Sequence, residues 1–131
     1  AGVEKVLKAL KGKYGLGLLS NNSHNNILQL LKSVKLDKNL FDVIVGNDDV
    51  KYSKPYPDEI LKAEKLLHLK ASYMVGDSIY DIIAGKKAGV KTIAVLTGHF
   101  SKNDLGRYNP DYIIKTLRDI FKILKLKTKT I

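Results

Sequence analysis

Two acids, Asp77 and Asp81, stand four residues apart in Met74-Val75-Gly76-Asp77-Ser78-Ile79-Tyr80-Asp81. An apolar pair runs into Gly-Asp, and a helical pattern follows. This predicts a strand that delivers Asp77 at its C-terminal end, where open α/β sheets place ligands. Asp81 falls in the first turn of the next helix, so both carboxylates can face one small volume. That suits a hard, oxygen-seeking cation such as Mg2+. Two more polar groups lie where an apolar run gives way to loop. Ser20-Asn21 follows Leu16 to Leu19; a hydroxyl beside the N–H groups that open a helix makes an anion cradle, although alone the segment reads more readily as a helix cap. Lys54 sits in Lys54-Pro55-Tyr56-Pro57. Two prolines stiffen the backbone beside one cation, which aims positive charge at a phosphoryl oxygen. Alone, Lys-Pro in a loop reads as ordinary surface; the order and spacing of all three sites point to phosphate and metal chemistry.

The elements that must position these groups alternate. Val3, Val6, Leu7 and Leu10 give Gly2 to Lys11 an amphipathic helical face. Gly12 and Gly15 end it, and Leu16 to Leu19 reads as a buried strand. Asn22 or Ser23 caps a second helix, with Ile27, Leu30, Leu31 and Val34 as its buried face. Phe41 to Val45 is the second strand, and Gly46 to Ser53 a polar loop. Pro57 opens a third helix with Ile60, Leu61, Ala63 and Leu67 on its apolar face. Ser72 to Val75, a stretch within Lys91 to Leu96, and Tyr112 to Ile114 complete five strands. Ile79 to Ala88 is a helix closed by Gly89, Thr97 to Asn109 a loop, and Thr116-x-x-Asp119 a capping box for a last helix reaching Leu124. The class is α/β with a mostly parallel sheet. Residues 1–124 form the core; 125–131 form a Lys-rich tail that fits a frayed end better than a helix end or an edge strand.

At 131 residues the chain is one domain with room for a core. It has no cysteine, which excludes disulfides and thiolate chemistry and fits the cytoplasm. No stretch is long enough to span a membrane, and Ala1 to Leu10 is too charged for a signal peptide. The net charge of +10 raises nucleic acid as a partner. Nearly all the positives are lysines, scattered along the chain, and only Arg107 and Arg118 could make bidentate contacts. A solvated lysine surface is the expectation, with neither nucleic acid nor membrane as partner. His24, His68 and His99 lie far apart and form no metal spacing; His24 falls near the anion cradle. Ser78 and Tyr80 flank the acids and read as packing or positioning residues.

With these motifs in place, the chain resembles the haloacid dehalogenase-like hydrolases, especially their phosphoglycolate-phosphatase-like branch, from Gly2 to about Ile120. LLSNN at 18–22 resembles the family's second motif, SKPYPD at 53–58 its third, and GDSIYDIIAGKKAGVKTIAV at 76–95 its fourth. The resemblance implies a Rossmann-like core. It makes Ser20, Asn21 and Lys54 the phosphate-binding residues and Lys54 and Asp77 the catalytic ones. Asp77 would ligate Mg2+ with Asp81 in support, and the substrate would be a small phosphorylated metabolite. Dehalogenase members need no metal and lack the Gly-Asp-Ser-x-x-Asp form, so the resemblance favours phosphate chemistry.

One motif has no counterpart. Family members open with a strand ending in Asp-x-Asp-Gly-Thr, whose first Asp is the nucleophile and second the general acid/base. Asp48-Asp49 is the nearest acidic pair and reads as solvated surface. Ala1-Gly2-Val3 resembles the point where members return from their cap, so the chain is expected to lack the nucleophile strand, which is central in the family. Such a strand carries about three large apolar side chains at roughly 1.5–3 kcal/mol each, and ladder hydrogen bonds at roughly 0.5–1.5 kcal/mol each. That approaches a domain's whole stability of about 5–15 kcal/mol. The expectation is that the slot is filled, by a complementing fragment, a second copy or the tail, and that the chain alone has little turnover. A non-catalytic phosphate-binding or assembly subunit is the alternative. A response-regulator receiver fits worse, because receivers place their acidic cluster early in the chain.

Overall fold

The computed structural model describes residues 2–124. Tail residues 125–131 lie outside that range. Six helices and five short strands alternate: α1 (Gly2–Leu10), β1 (Gly17–Leu19), α2 (His24–Ser33), β2 (Val43–Val45), α3 (Asp58–Leu67), β3 (Tyr73–Gly76), α4 (Ile79–Lys87), β4 (Lys91–Val95), α5 (Lys102–Gly106), β5 (Tyr112–Ile114) and α6 (Ile120–Leu124). All strand pairs are parallel, as expected when helices carry the chain back between strands.

The strands do not form one sheet. β1 pairs with β2, and β3-β4-β5 form a separate three-stranded sheet. The inner edges of β1 and β3 bound a cavity of about 1110 Å³. Leu16 to Leu19 line one side and Tyr73 to Gly76 the other, with α1 and α3 contributing Val6, Leu10, Ile60 and Ala63. Lys54, Asp77, Asp81 and Thr97 line it where the strands end. A strand takes about 4.7–4.9 Å beside each neighbour and offers side chains to both faces. A gap with an open edge on each side and apolar helices around it has the form of a strand's place.

The core is built around β4. Ile93 and Val95 face α1 and α6, packing with Val6, Leu10, Ile120 and Phe121. Ala94, on the opposite face, packs with Ile82 of α4 and Leu105 of α5. Ile60, Met74, Ala84 and Val90 join α3 to β3 and α4. Gly89 closes α4 with φ +74°; its N–H donates to the Lys86 carbonyl and that of Val90 to the Gly85 carbonyl, the paired bonds of a Schellman turn.

Three expectations need correction. Leu30 and Val34 of α2 are 53% and 62% exposed, and Leu61 of α3 is 47% exposed. Only Ile27 and Leu31, one turn apart, bury α2. The loop expected over residues 97–109 contains α5, capped by reciprocal bonds between Ser101 and Asp104. Asp48 is exposed, as expected, and Asp49 half-buried, but neither acid is merely solvated. Asp48 Oδ1 accepts the His24 backbone N–H at 2.8 Å. One Asp49 oxygen accepts the Gly46 N–H at 2.8 Å and faces His24 Nδ1 at 2.8 Å. The Gly46 N–H, and then the His24 ring, hold the Asp49 carboxyl below its usual range.

Candidate active site

Strand ends and helix starts converge at one rim, and Lys54 is the link. Its ammonium donates to Asp81 Oδ1 at 2.6 Å and reaches the Leu19 carbonyl at 3.4 Å. One side chain thus ties the end of β1 to the start of α4, across the gap. The Lys54 and Asp81 side chains are only 12% and 9% exposed, so the pair lies in a medium where charges interact strongly.

Asn21 sets the loop that carries Lys54. Its side-chain amide donates to the Lys54 carbonyl at 3.1 Å, and its Oδ1 accepts the Lys54 N–H at 3.2 Å. That side chain is committed to the loop, so any contact of Asn21 with an anion falls to its backbone N–H. Ser20 is held by its own N–H, which donates to the Val45 carbonyl at 3.0 Å. Its Oγ accepts the Asn22 backbone and side-chain N–H groups at 3.1 and 3.3 Å. With its lone pairs engaged, the hydroxyl proton is left to donate outward. The helix cap is a different residue, Ser23, whose Oγ accepts the Asn26 N–H at 3.2 Å.

Asp81 is shared. Its second oxygen accepts the Ser78 N–H at 3.1 Å and the Ser78 hydroxyl at 3.0 Å, while Ser78 Oγ accepts the Asp81 N–H at 3.3 Å. This capping box opens α4 and fixes the carboxylate against Lys54. Gly76 is obligatory beneath it, because a Cβ there would overlap the Asp81 carboxylate. Asp77 differs: it is exposed, and no described residue hydrogen-bonds to its carboxylate. No cluster of three or more His, Cys, Asp or Glu side chains is present among the described residues. Mg2+ needs only one or two carboxylates, filling its remaining positions with water and phosphate oxygens. A free hard oxygen on Asp77 fits that requirement, whereas both Asp81 oxygens are engaged by Lys54 and Ser78.

Two neighbours escaped sequence reading. Glu59 of α3 is fully buried, and neither of its oxygens has a hydrogen-bond partner. Burial raises its pKa to about 7, offset in part by the Lys54 ammonium. In the sequence, Asp58-Glu59 reads as an ordinary acidic first turn. Gly98, in the loop after β4, lies against Asp77; nothing in its local sequence signals that approach.

Comparison with known proteins identifies the family. The family model described as haloacid dehalogenase-like hydrolase matches residues 1–95. The chain belongs to that family. Pyrophosphatase PpaX of Bacillus mycoides is 37% identical over 123 residues, which is 92% of this chain and 57% of the relative. Among solved structures, a predicted phosphoglycolate phosphatase from Haemophilus somnus superposes with TM-score 0.85 at 28% identity, covering 94% of this chain and 56% of that one. A hydrolase from Pseudomonas syringae gives TM-score 0.83 at 27% identity, covering 95% and 58%. This haloacid dehalogenase-like chain therefore spans little more than half the length of the relatives it matches.

Proposed function

We propose that this chain is the core of a cytoplasmic Mg2+-dependent phosphohydrolase acting on small phosphomonoesters, and that a strand seated between β1 and β3 supplies the nucleophilic Asp. The observation that carries this reading is the Lys54 bridge, which puts an ammonium beside the Ser20 segment and Asp81 at the mouth of the gap. The Ser20 hydroxyl donates to a phosphoryl oxygen. Lys54 offsets the charge that develops there, at low exposure, where such stabilisation is strongest. Asp77, supported by Asp81, holds Mg2+, which supplies charge neutralisation and alignment of the phosphoryl group. PpaX, named a pyrophosphatase, and the predicted phosphoglycolate phosphatase above support a phosphorylated small molecule as substrate. None of the chain's own site groups provides the covalent step, so turnover by this chain alone should be slight.

The test is hydrolysis of p-nitrophenyl phosphate with Mg2+, by the chain alone and with a separate fragment bearing an apolar strand that ends in Asp-x-Asp. Turnover confined to the mixture, and lost with Lys54→Met, supports the proposal. Phosphate binding without rescue would favour a non-catalytic phosphate-binding or assembly subunit, the reading consistent with the missing nucleophile. Equal turnover by the chain alone would refute the requirement for a strand.

A further inference from the structure

No described residue hydrogen-bonds to the exposed Asp77 carboxylate, so something else must set where it points. The loop after β4 does so by shape. A Cβ placed on Gly98 would lie 2.6 Å from Asp77 Oδ2, 2.7 Å from its Cγ and 3.0 Å from its Cβ. The space a side chain would take at Gly98 is the space the Asp77 carboxylate occupies. The loop is held firmly enough to matter. Before Gly98, the Leu96 N–H donates to the Ile114 carbonyl at 2.9 Å. After it, Phe100 packs against the Ile82, Ala94 and Leu105 cluster and meets Tyr80 edge-on, with ring centroids 6.3 Å apart at 84°. Ser101 then enters its capping box with Asp104.

We infer that Gly98 is a positioning residue for Asp77, and that the segment 96–101 is the seat that presents this carboxylate to a divalent cation. The role of Asp77 as cation ligand rests on the proposed function; the seating of its side chain does not. Backbone strain plays no part, since Gly98 lacks the left-handed φ that Gly12 and Gly89 adopt. The three nearest atoms an alanine would meet all belong to the exposed Asp77 side chain: rotation about χ1 carries its carboxylate away, and its Cβ, at 3.0 Å, must give by a few tenths of an ångström. Such a change spares the fold and moves the ligand. Groups that orient a metal ligand typically influence affinity about 10–100-fold.

The 131-residue chain would be prepared as wild type, Gly98→Ala and Asp77→Ala. Three quantities would be measured: the Asp77 χ1 population by NMR couplings without metal, Mn2+ affinity by water proton relaxation, and the melting temperature. For Gly98→Ala the expected result is a new dominant χ1 rotamer at Asp77 and Mn2+ binding weakened about 10–100-fold, toward the Asp77→Ala level, at an unchanged melting temperature. An unchanged χ1 distribution overturns the inference, as does a rotated Asp77 with unchanged Mn2+ affinity. If wild type binds no Mn2+, the magnesium reading fails, and the χ1 measurement alone decides whether Gly98 seats Asp77.

Discussion

At the scale of single residues, two buried acids behave in opposite ways. Asp81 is fully partnered: it receives Lys54 and Ser78 and closes a helix cap. Removing one member of a buried ion pair costs about 3–5 kcal/mol, because the other charge is left without compensation. Asp81→Ala should destabilise the chain by about that amount, with the cap loss included, as read from urea unfolding; Glu4→Ala, which removes the exposed pair with Lys8, should cost about 1 kcal/mol or less. Glu59 is buried with no partner. Its folded pKa, about 7, lies above the ordinary 4.5. The folded chain therefore holds this proton through a range where the unfolded chain has released it. Stability from this group is greatest below pH 4.5, falls as pH rises to about 7, and is level above that. A shift from 4.5 to about 7 corresponds to about 3 kcal/mol. Glu59→Leu should gain up to that much relative to wild type between pH 4.5 and pH 8. An equal difference between the two proteins at both pH values would contradict the account. The placement of Asp77, Asp81, Lys54 and Ser20 at strand ends, a loop and a helix start was legible, because apolar runs and turn residues mark those points in the sequence. Glu59 and Gly98 were not, since their meaning comes from neighbours distant in sequence.

At the scale of elements, the alternation of strands and helices was plain in the sequence because apolar runs and turn residues follow one another. The errors share a cause. Apolar residues at helical spacing report a stripe, and how much of the stripe is covered depends on what lies beneath it. α2 has four candidate core residues and buries two, Ile27 and Leu31, which are enough to dock it. α5 has five residues and buries only Leu105, too little for a periodic signal, although Ser101-x-x-Asp104 is a readable cap. With so narrow a buried face, α2 should depend on its ends. Ser23→Ala removes the bond to the Asn26 N–H and should cost about 1 kcal/mol. Amide exchange should rise first at residues 24–27; uniform loss of protection across the chain would show that α2 is held by packing instead.

At the scale of the whole molecule, the divided sheet is the dominant fact. A missing motif made the vacancy foreseeable, but only topology locates it, between β1 and β3 and under Lys54. A synthetic peptide of about six apolar residues should raise the melting temperature in a concentration-dependent manner, since a ligand that binds only the folded state stabilises it by mass action. A scrambled peptide with alternating charges should not. Among the described residues β1 and β3 each pair on one side only, and strand edges without a partner are surfaces through which chains stick to one another. For the 131-residue chain taken by itself, a net charge of +10 opposes such contact through mutual repulsion. Salt weakens that repulsion, shortening its reach from about 10 Å at 0.1 M to about 3 Å at 1 M. Colloidal behaviour thus becomes a gauge of occupancy, with clear solutions in strong brine marking a chain whose vacancy has been filled.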